Sequence, residues 1–138
     1  MPFSEPLQLA RKTHWDMIAA AGIKGVAGTC LYATIVLQMM VDLHAGRPCA
    51  VIRGGDGEAG GGYVDATGRI HGHYWVEATE ATGRRYVLDV TADQFGGPQQ
   101  VHLALPLAAR QYIPGDQALV DLHVAGERRL AEMAADSR

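Results

Sequence analysis

The segment RIHGHYWVEATEATGRRYVLDVTADQF, residues 69–95, constrains the fold more than any other part of the chain. It contains two strand-like runs, residues 70–79 and 84–91, on either side of a short loop. Runs separated by so few residues are predicted to pair as an antiparallel hairpin. Because side chains alternate along a strand, one face of the first strand is predicted to carry His71, His73, Trp75 and Glu77. One face of the second strand carries Val87, Asp89 and Thr91.

The length of the loop decides whether His73 and Asp89 meet. A three-residue loop, EAT, places them directly opposite each other, with Cβ atoms about 4.5–5.5 Å apart. A three-residue loop that ends at Gly83 shifts the pairing by two residues and makes the contact diagonal. A loop of two or four residues places the side chains on opposite faces. The sequence leaves these registers open, and the first two bring an imidazole within hydrogen-bonding reach of a carboxylate.

Two amphipathic helices are predicted near the ends of the chain. Residues 6–21 begin with a proline suited to a first helical turn and stop before a glycine. The side chains expected to share much of one face of this helix are Leu9, Trp15, Ile18 and Ala19. Residues 126–135 are predicted to form a closing helix, with Leu130 and Met133 on its inner side.

The most apolar segment is predicted to be a central helix. Residues 30–44 are apolar almost all round, as in a helix that is buried on several sides. Thr29 is the predicted N-cap, which would place Cys30 in the first turn. The apolar run within this segment is interrupted by Thr34 and Gln38 and is too short to span a bilayer, so no membrane partner is expected.

Short strands complete the predicted fold. CAVIR and VHLAL are predicted strands, and GGDGEAGGG is a predicted turn that lacks the lysine and the following helix of a phosphate-binding loop. Helices, then a meander of antiparallel strands, then a helix is the order of an α+β fold. A chain of 138 residues fits a single domain, residues 1–138.

Composition argues against several classes of protein. A net charge of −3 gives no reason to expect nucleic acid or an acidic membrane as a partner. The N-terminal residues lack the basic start and apolar run of a signal peptide. The two cysteines, Cys30 and Cys49, are too few for a disulfide framework, so a reducing, cytoplasmic setting is expected. Cys49 is predicted to be a core residue of a strand, and no feature indicates the oligomeric state.

Three chemical groups suggest a function, and each also has a structural explanation. A His73–Asp89 pair can simply satisfy a buried imidazole, and a cysteine in an apolar helix can be inert core. At a helix N-terminus, however, the helix dipole and the free N–H groups favour a thiolate at Cys30. A second hypothesis is a zinc site in which His71 and His73 join Cys30, Asp89 or His102. No C-x-x-C motif supports it, and no metal is expected.

Three motifs taken together resemble one enzyme superfamily. GTCLYATIVLQMM carries a cysteine at the start of the central helix, GHYWVEA is similar to an H-x-W-V-E strand, and YVLDVTADQF is similar to an L-D-x-T strand. In this order they resemble the transglutaminase-like branch of the papain-like cysteine enzymes, and especially its small bacterial members, over about residues 28–95. Leu31 departs from the family, which has an aromatic residue directly after the cysteine. The resemblance implies a papain/transglutaminase-like core, in which the cysteine-bearing helix packs on an antiparallel sheet.

The resemblance also implies catalytic roles. Cys30 would be the nucleophile, with its backbone N–H as an oxyanion donor, His73 the general base and acid, and Asp89 the partner that orients His73. Such a triad acts on a peptide or side-chain amide bond through a thioester and needs no cofactor. A protease or deamidase with a peptide or protein substrate is expected ahead of amine transfer. A non-catalytic binding module on the same fold is the alternative.

Residues close in sequence to His73 and Asp89 have predicted supporting roles. Gln94 is a candidate oxyanion donor or a turn residue, and Trp75 is a candidate for the groove wall or the core. His71 is the alternative base, behind His73, which stands where the family motif has its histidine. Glu77 is predicted to be solvated, and Asp93 is predicted to form a turn.

Overall fold

The computed structural model describes residues 1–21, 30–57 and 60–136. Its helices are α1 (Ser4–Ala21), α2 (Cys30–Ala45), α3 (Leu105–Ala108) and α4 (Gln117–Asp136), with a 3₁₀ helix at Ala92–Phe95. Its strands are β1 (Ala50–Gly55), β2 (Gly62–Val64), β3 (Ile70–His71), β4 (His73–Thr79), β5 (Arg85–Asp89), β6 (Val101–Ala104) and β7 (Tyr112–Ile113). The α+β class is therefore confirmed. None of the helices in these ranges is long and apolar enough to cross a membrane.

A four-stranded antiparallel sheet, in the order β1-β4-β5-β6, lies at the centre of the molecule. One face packs against α1, α2 and α4 around fully buried residues that include Leu37, Val76 and Leu88. The other face packs against a second antiparallel sheet, β3-β2-β7, through Trp75 and Tyr63. Burying one such large apolar side chain contributes about 1.5–3 kcal/mol, so both faces of the central sheet are strongly held. The predicted central helix is confirmed as α2, while the N-cap predicted at Thr29 lies outside the described residues.

The hairpin between β4 and β5 has the shifted register. Val76 pairs with Leu88 and Thr79 with Arg85. Gly83 has a φ of 88°, in the left-handed region that glycine adopts without strain. Its N–H donates to the carbonyl of Glu80 at 2.9 Å. Of the registers left open by the sequence, the diagonal one therefore occurs.

The predicted strand over residues 70–79 is two strands in two different sheets. His71 in β3 pairs with Tyr63 of β2, whereas His73 in β4 pairs with Gly55 of β1. Gly72 separates them, and a Cβ there would lie 3.1 Å from the carbonyl oxygen of Asp56, a tight contact that would require the Asp56 backbone to shift slightly. The prediction of one continuous strand was wrong, and because alternation holds only within such a strand, it does not fix the face of His71 relative to that of His73.

The face that α1 buries differs from the predicted one. Ile18 is buried as expected, but Leu9 and Trp15 are 52% and 36% exposed, and Ala19 is also exposed. The buried face consists of Pro6, Leu7, Ala10, Arg11, His14 and Ile18. The apolar pattern of the sequence does not reveal this face, because two of its residues, Arg11 and His14, are ionisable.

The closing helix α4 begins nine residues before the predicted start. Both Ala118 and Leu119 donate their N–H to the Asp116 carboxylate, at 3.0 and 3.3 Å, as in an N-terminal cap. The predicted inner side was wrong, because Leu130 and Met133 are 62% and 60% exposed. Val120 makes the buried contact instead.

Candidate active site

His73 and Asp89 form a buried pair at the start of β4 and the end of β5. His73 Nε2 lies 2.7 Å from Asp89 Oδ2, and both residues are almost fully buried, at 1% and 2% exposure. Because the contact is diagonal, the carboxylate lies beside the imidazole ring on the face that packs against the second sheet. Each side chain is positioned by regular strand hydrogen bonds rather than by a loop.

The Asp89 carboxylate accepts hydrogen bonds at both oxygens. Oδ1 accepts the Thr91 backbone N–H at 3.0 Å and the Thr91 hydroxyl at 3.3 Å. Oδ2 accepts the Tyr112 hydroxyl at 2.8 Å in addition to the His73 contact. Sequence reasoning missed Tyr112, since it lies in a two-residue strand of the second sheet that has no periodic signal. These bonds hold the carboxylate in a fixed orientation toward His73.

The charges of the pair follow from these contacts. Burial alone would lower the pKa of His73, but the Asp89 carboxylate and its hydrogen bond, followed by the Cys30 thiol, outweigh burial and raise that pKa to about 9. Burial would also raise the pKa of Asp89. The neighbouring His73 and the hydrogen bonds from Thr91 and Tyr112 hold it below its usual value instead. An imidazolium and a carboxylate therefore face each other at neutral pH.

Cys30 is the first residue of α2 and is partly exposed. The Thr34 hydroxyl fixes this turn, since it donates to the Cys30 carbonyl at 2.6 Å and lies 3.4 Å from the Tyr74 carbonyl in β4. The thiol interacts with the imidazole of His73, whose pKa it helps to raise. The remaining ring nitrogen, His73 Nδ1, is buried and meets regular hydrogen-bond geometry with no group in the described part of the chain. The structure thus brings together Cys30, His73 and Asp89.

His71 belongs to a separate pair. Its Nε2 lies 2.7 Å from Asp65 Oδ2, and its ring stacks on Phe95 with 4.4 Å between centroids. The same Phe95 ring meets His73 edge-on, with 5.2 Å between centroids. His71 therefore does not share the Asp89 carboxylate.

Trp75 and Glu77 follow His73 on its side of β4. Trp75 is 1% exposed, its ring lies 5.2 Å from that of Tyr112, and it is a core residue beneath the His73–Asp89 pair. The prediction that Glu77 is solvated was wrong. Its carboxylate is largely buried between the guanidinium groups of Arg53 and Arg85, at 3.3 and 3.2 Å.

The segment after Asp89 is held by Arg11 of α1. The guanidinium donates to both oxygens of Asp93, at 3.0 and 2.8 Å, and also to the carbonyl oxygens of Val90 and Gln99. Asp93 is therefore more than the predicted turn residue, because it anchors the 3₁₀ helix to α1. Gln94 lies in that 3₁₀ helix, and its Nε2 is buried with no acceptor among the described residues. A buried amide without a partner costs stability and calls for an explanation.

The second cysteine lies in a different environment. Cys49 precedes β1 and is buried, as predicted for a core residue. Burial, and then the nearby Asp42 carboxylate, raise the pKa of its thiol. The two cysteines are therefore chemically distinct.

The zinc hypothesis finds no matching donor set in the described ranges. No group of three or more His, Cys, Asp and Glu side chains there is arranged to hold a metal ion. His71 and His73 each bind a different carboxylate, Asp65 and Asp89. His102 pairs with Leu88 across the sheet, and because side chains alternate along β5, Leu88 and His102 face the side opposite to Asp89. No protein-family model, curated protein or solved structure matches this chain.

Proposed function

We propose that the protein is a thiol-dependent hydrolase or acyltransferase with a papain/transglutaminase-like core. It acts on a peptide or side-chain amide bond through Cys30, His73 and Asp89. The observation that carries this proposal is the buried imidazole, with Asp89 on one ring nitrogen, no regular partner for the other among the described residues, and a helix-start thiol as neighbour. A purely structural histidine gains nothing from leaving a buried nitrogen unpaired.

The chemistry follows from the two ring nitrogens. Asp89 holds Nε2, and the proton that makes His73 an imidazolium lies on Nδ1 and is the one that the Cys30 thiol gives up, so the resting site is a thiolate–imidazolium pair. The thiolate attacks the amide carbonyl, a C–S bond forms, and the imidazolium proton passes to the leaving nitrogen as the C–N bond breaks. The product is a thioester. Water then attacks with His73 as base, the C–S bond breaks, and the acid and the free thiol are released.

Two donors are proposed for the oxyanion of each tetrahedral intermediate. The backbone N–H of Cys30 is at the start of α2, where N–H groups have no partner within the helix. The Gln94 side chain is the second, because its buried Nε2 has no acceptor among the described residues. The Arg11–Asp93 ion pair would hold Gln94 in place.

Hydrolysis or deamidation of a peptide or protein is favoured over amine transfer, and the three side chains need no cofactor for it. Both cysteines are free thiols, which supports a reducing compartment such as the cytoplasm.

A peptide library tests the proposal, with two products measured in parallel. New N-termini report a protease, and ammonia without new N-termini reports a deamidase. We expect product formation that is lost in Cys30→Ala, retained in Cys49→Ala and unchanged by a chelator. Turnover that survives Cys30→Ala, or that requires zinc, would contradict the proposal. Peptide binding without turnover would favour a binding module.

A further inference from the structure

The solvent face of α4 carries four large apolar side chains. Leu119, Leu122, Leu130 and Met133 are 42%, 66%, 62% and 60% exposed, although α4 already packs on the protein through Val120. On a helix with 100° between successive residues, these four side chains lie along one stripe, here called the α4 stripe. Contiguous exposed apolar patches on soluble proteins commonly mark interaction surfaces.

The α4 stripe is symmetric about Gly126. Two of its members lie four residues before and after the glycine, and two lie seven residues before and after it. We infer that a second copy of this chain covers the stripe, with the two α4 helices antiparallel and crossing at Gly126. In that arrangement Leu122 meets Leu130 of the second copy, and Leu119 meets Met133. A two-fold interface requires this reciprocity, because residue i contacts j while j contacts i.

Gly126 itself supports the crossing point. Glycine in the interior of a helix is unfavourable relative to alanine, so a local reason for it is expected. A Cβ added at Gly126 would meet no other part of residues 1–21, 30–57 and 60–136 within 4 Å, so no packing within these ranges requires the glycine. At a crossing of two helices, a missing side chain lets the backbones approach closely.

The area of the stripe sets the strength expected of the contact. Asp121 and Arg128 lie on the side of α4 away from the stripe, where Arg128 donates to Gln38 of α2, so these two charges do not face the second copy. One helix against another buries less than the roughly 800 Å² per partner of a standard stable interface. The dimer is therefore expected to be weak, with dissociation in the micromolar range.

Sedimentation velocity over a concentration series tests the inference. We expect the wild type to shift from monomer to dimer as concentration rises, and Leu122→Glu to weaken association at least about tenfold. The matched control is Leu107→Glu in α3, a leucine that is 74% exposed away from the stripe, and it should associate like the wild type. A wild type that stays monomeric at millimolar concentration, or association unaffected by Leu122→Glu, would overturn the inference.

Disulfide trapping in a Cys30→Ala background tests the antiparallel register. Leu122→Cys and Leu130→Cys should each crosslink poorly alone and readily when mixed. Gly126→Cys should crosslink with itself, because it lies on the two-fold axis. Efficient self-crosslinking of Leu122→Cys would indicate parallel helices and contradict the inferred register.

Discussion

Two histidine–carboxylate pairs stand side by side in this protein, and their local geometry is the same. His73–Asp89 and His71–Asp65 each join Nε2 to Oδ2 at 2.7 Å. The side chains of the first pair are 0% and 1% exposed, while those of the second are 22% and 15% exposed. The ring of Phe95 touches both imidazoles.

What differs is the environment of each pair. His73 is next to the Cys30 thiol, and its buried Nδ1 has no partner of regular hydrogen-bond geometry in the described residues. Asp65 belongs to a turn, where its carboxylate also accepts the N–H and hydroxyl of Thr67. A histidine–carboxylate contact is thus not a catalytic signal by itself. The nearby thiol, together with burial, makes His73 the candidate base and leaves His71 as a candidate turn support.

The largest difference in the rate of Cys30 acylation is expected between substitutions of the two histidines. His73→Gln should slow acylation of Cys30 by nitrophenyl acetate, seen as the burst of nitrophenol, by about 10²–10⁴-fold, because the thiol loses its general base. His71→Gln, the matched control, should change the burst rate less than about threefold, since general-base catalysis does not pass through it. An equal loss of burst rate in the two variants would contradict the assignment of His73, rather than His71, as the general base.

Substitution of Asp89 should likewise lower the acylation rate more than substitution of Asp65. In Asp89→Asn the amide oxygen can still face Thr91, while the amide nitrogen donates to Tyr112 and to His73 Nε2. The imidazole proton then lies on Nδ1, the wrong tautomer for accepting the thiol proton, so the rate should fall by about 10- to 1000-fold with the fold retained. Asp65→Asn should stay within about threefold of the wild type. The burst rate and the melting temperature are measured on the same preparations, and an unstable but fully active Asp89→Asn would contradict a catalytic role.

The pH dependence of stability gives a third comparison. The pKa of His73 is about 9 in the folded protein, above the 6.5 of a free histidine. The resulting stabilisation is fully present below pH 6.5 and is lost as pH rises through about 9, by up to about 3 kcal/mol. Urea unfolding between pH 6 and 10 should show this decline in the wild type and in His71→Gln, and a clearly smaller one in His73→Gln. If the unfolding free energy of all three proteins changed with pH in the same way, the His73–Asp89 pair would not be the source of this stabilisation.

The smallest effect on the burst rate is expected from substitution of Tyr112. Tyr112→Phe removes one donor to Asp89 Oδ2 and should cost about 1 kcal/mol in unfolding free energy. The burst rate should fall by roughly three- to tenfold, because the carboxylate is less firmly oriented toward His73. Thr67→Val removes the hydroxyl donor to Asp65 and is the matched control, with the burst rate unchanged. A Tyr112→Phe variant that loses stability but no activity would limit Tyr112 to structural support.

The parts of the structure that follow from local pattern were predictable. The hairpin and the central helix have strong periodic signals, and the His73–Asp89 contact follows from side-chain alternation once the loop is known. The loop itself was not decided, because several turn types fit EATG. The His73–Asp89 contact was thus within reach of sequence reasoning, the position of Cys30 beside it was implied only by the resemblance, and the catalytic role of all three residues stays a prediction.

Features that depend on tertiary contacts could not be predicted. His71 and His73 lie in different sheets because the chain changes sheets at Gly72, and one glycine in a strand-like run does not reveal that. Tyr112 and Arg11 act on the site from segments distant in sequence. The start of α4 was placed too late, because Gly126 resembles a helix boundary when the cap at Asp116 is not known.

The central claim is that Cys30 forms a reactive pair with His73, and alkylation tests it most directly. The native protein is treated with iodoacetamide near pH 6, and each cysteine is followed by mass spectrometry. We expect rapid modification of Cys30 and protection of Cys49, whose thiol is buried and has a raised pKa. Modification of Cys30 should slow strongly in His73→Gln and should be unchanged in His71→Gln. Preferential labelling of Cys49, labelling of neither cysteine, or a Cys30 rate independent of His73 would contradict the account.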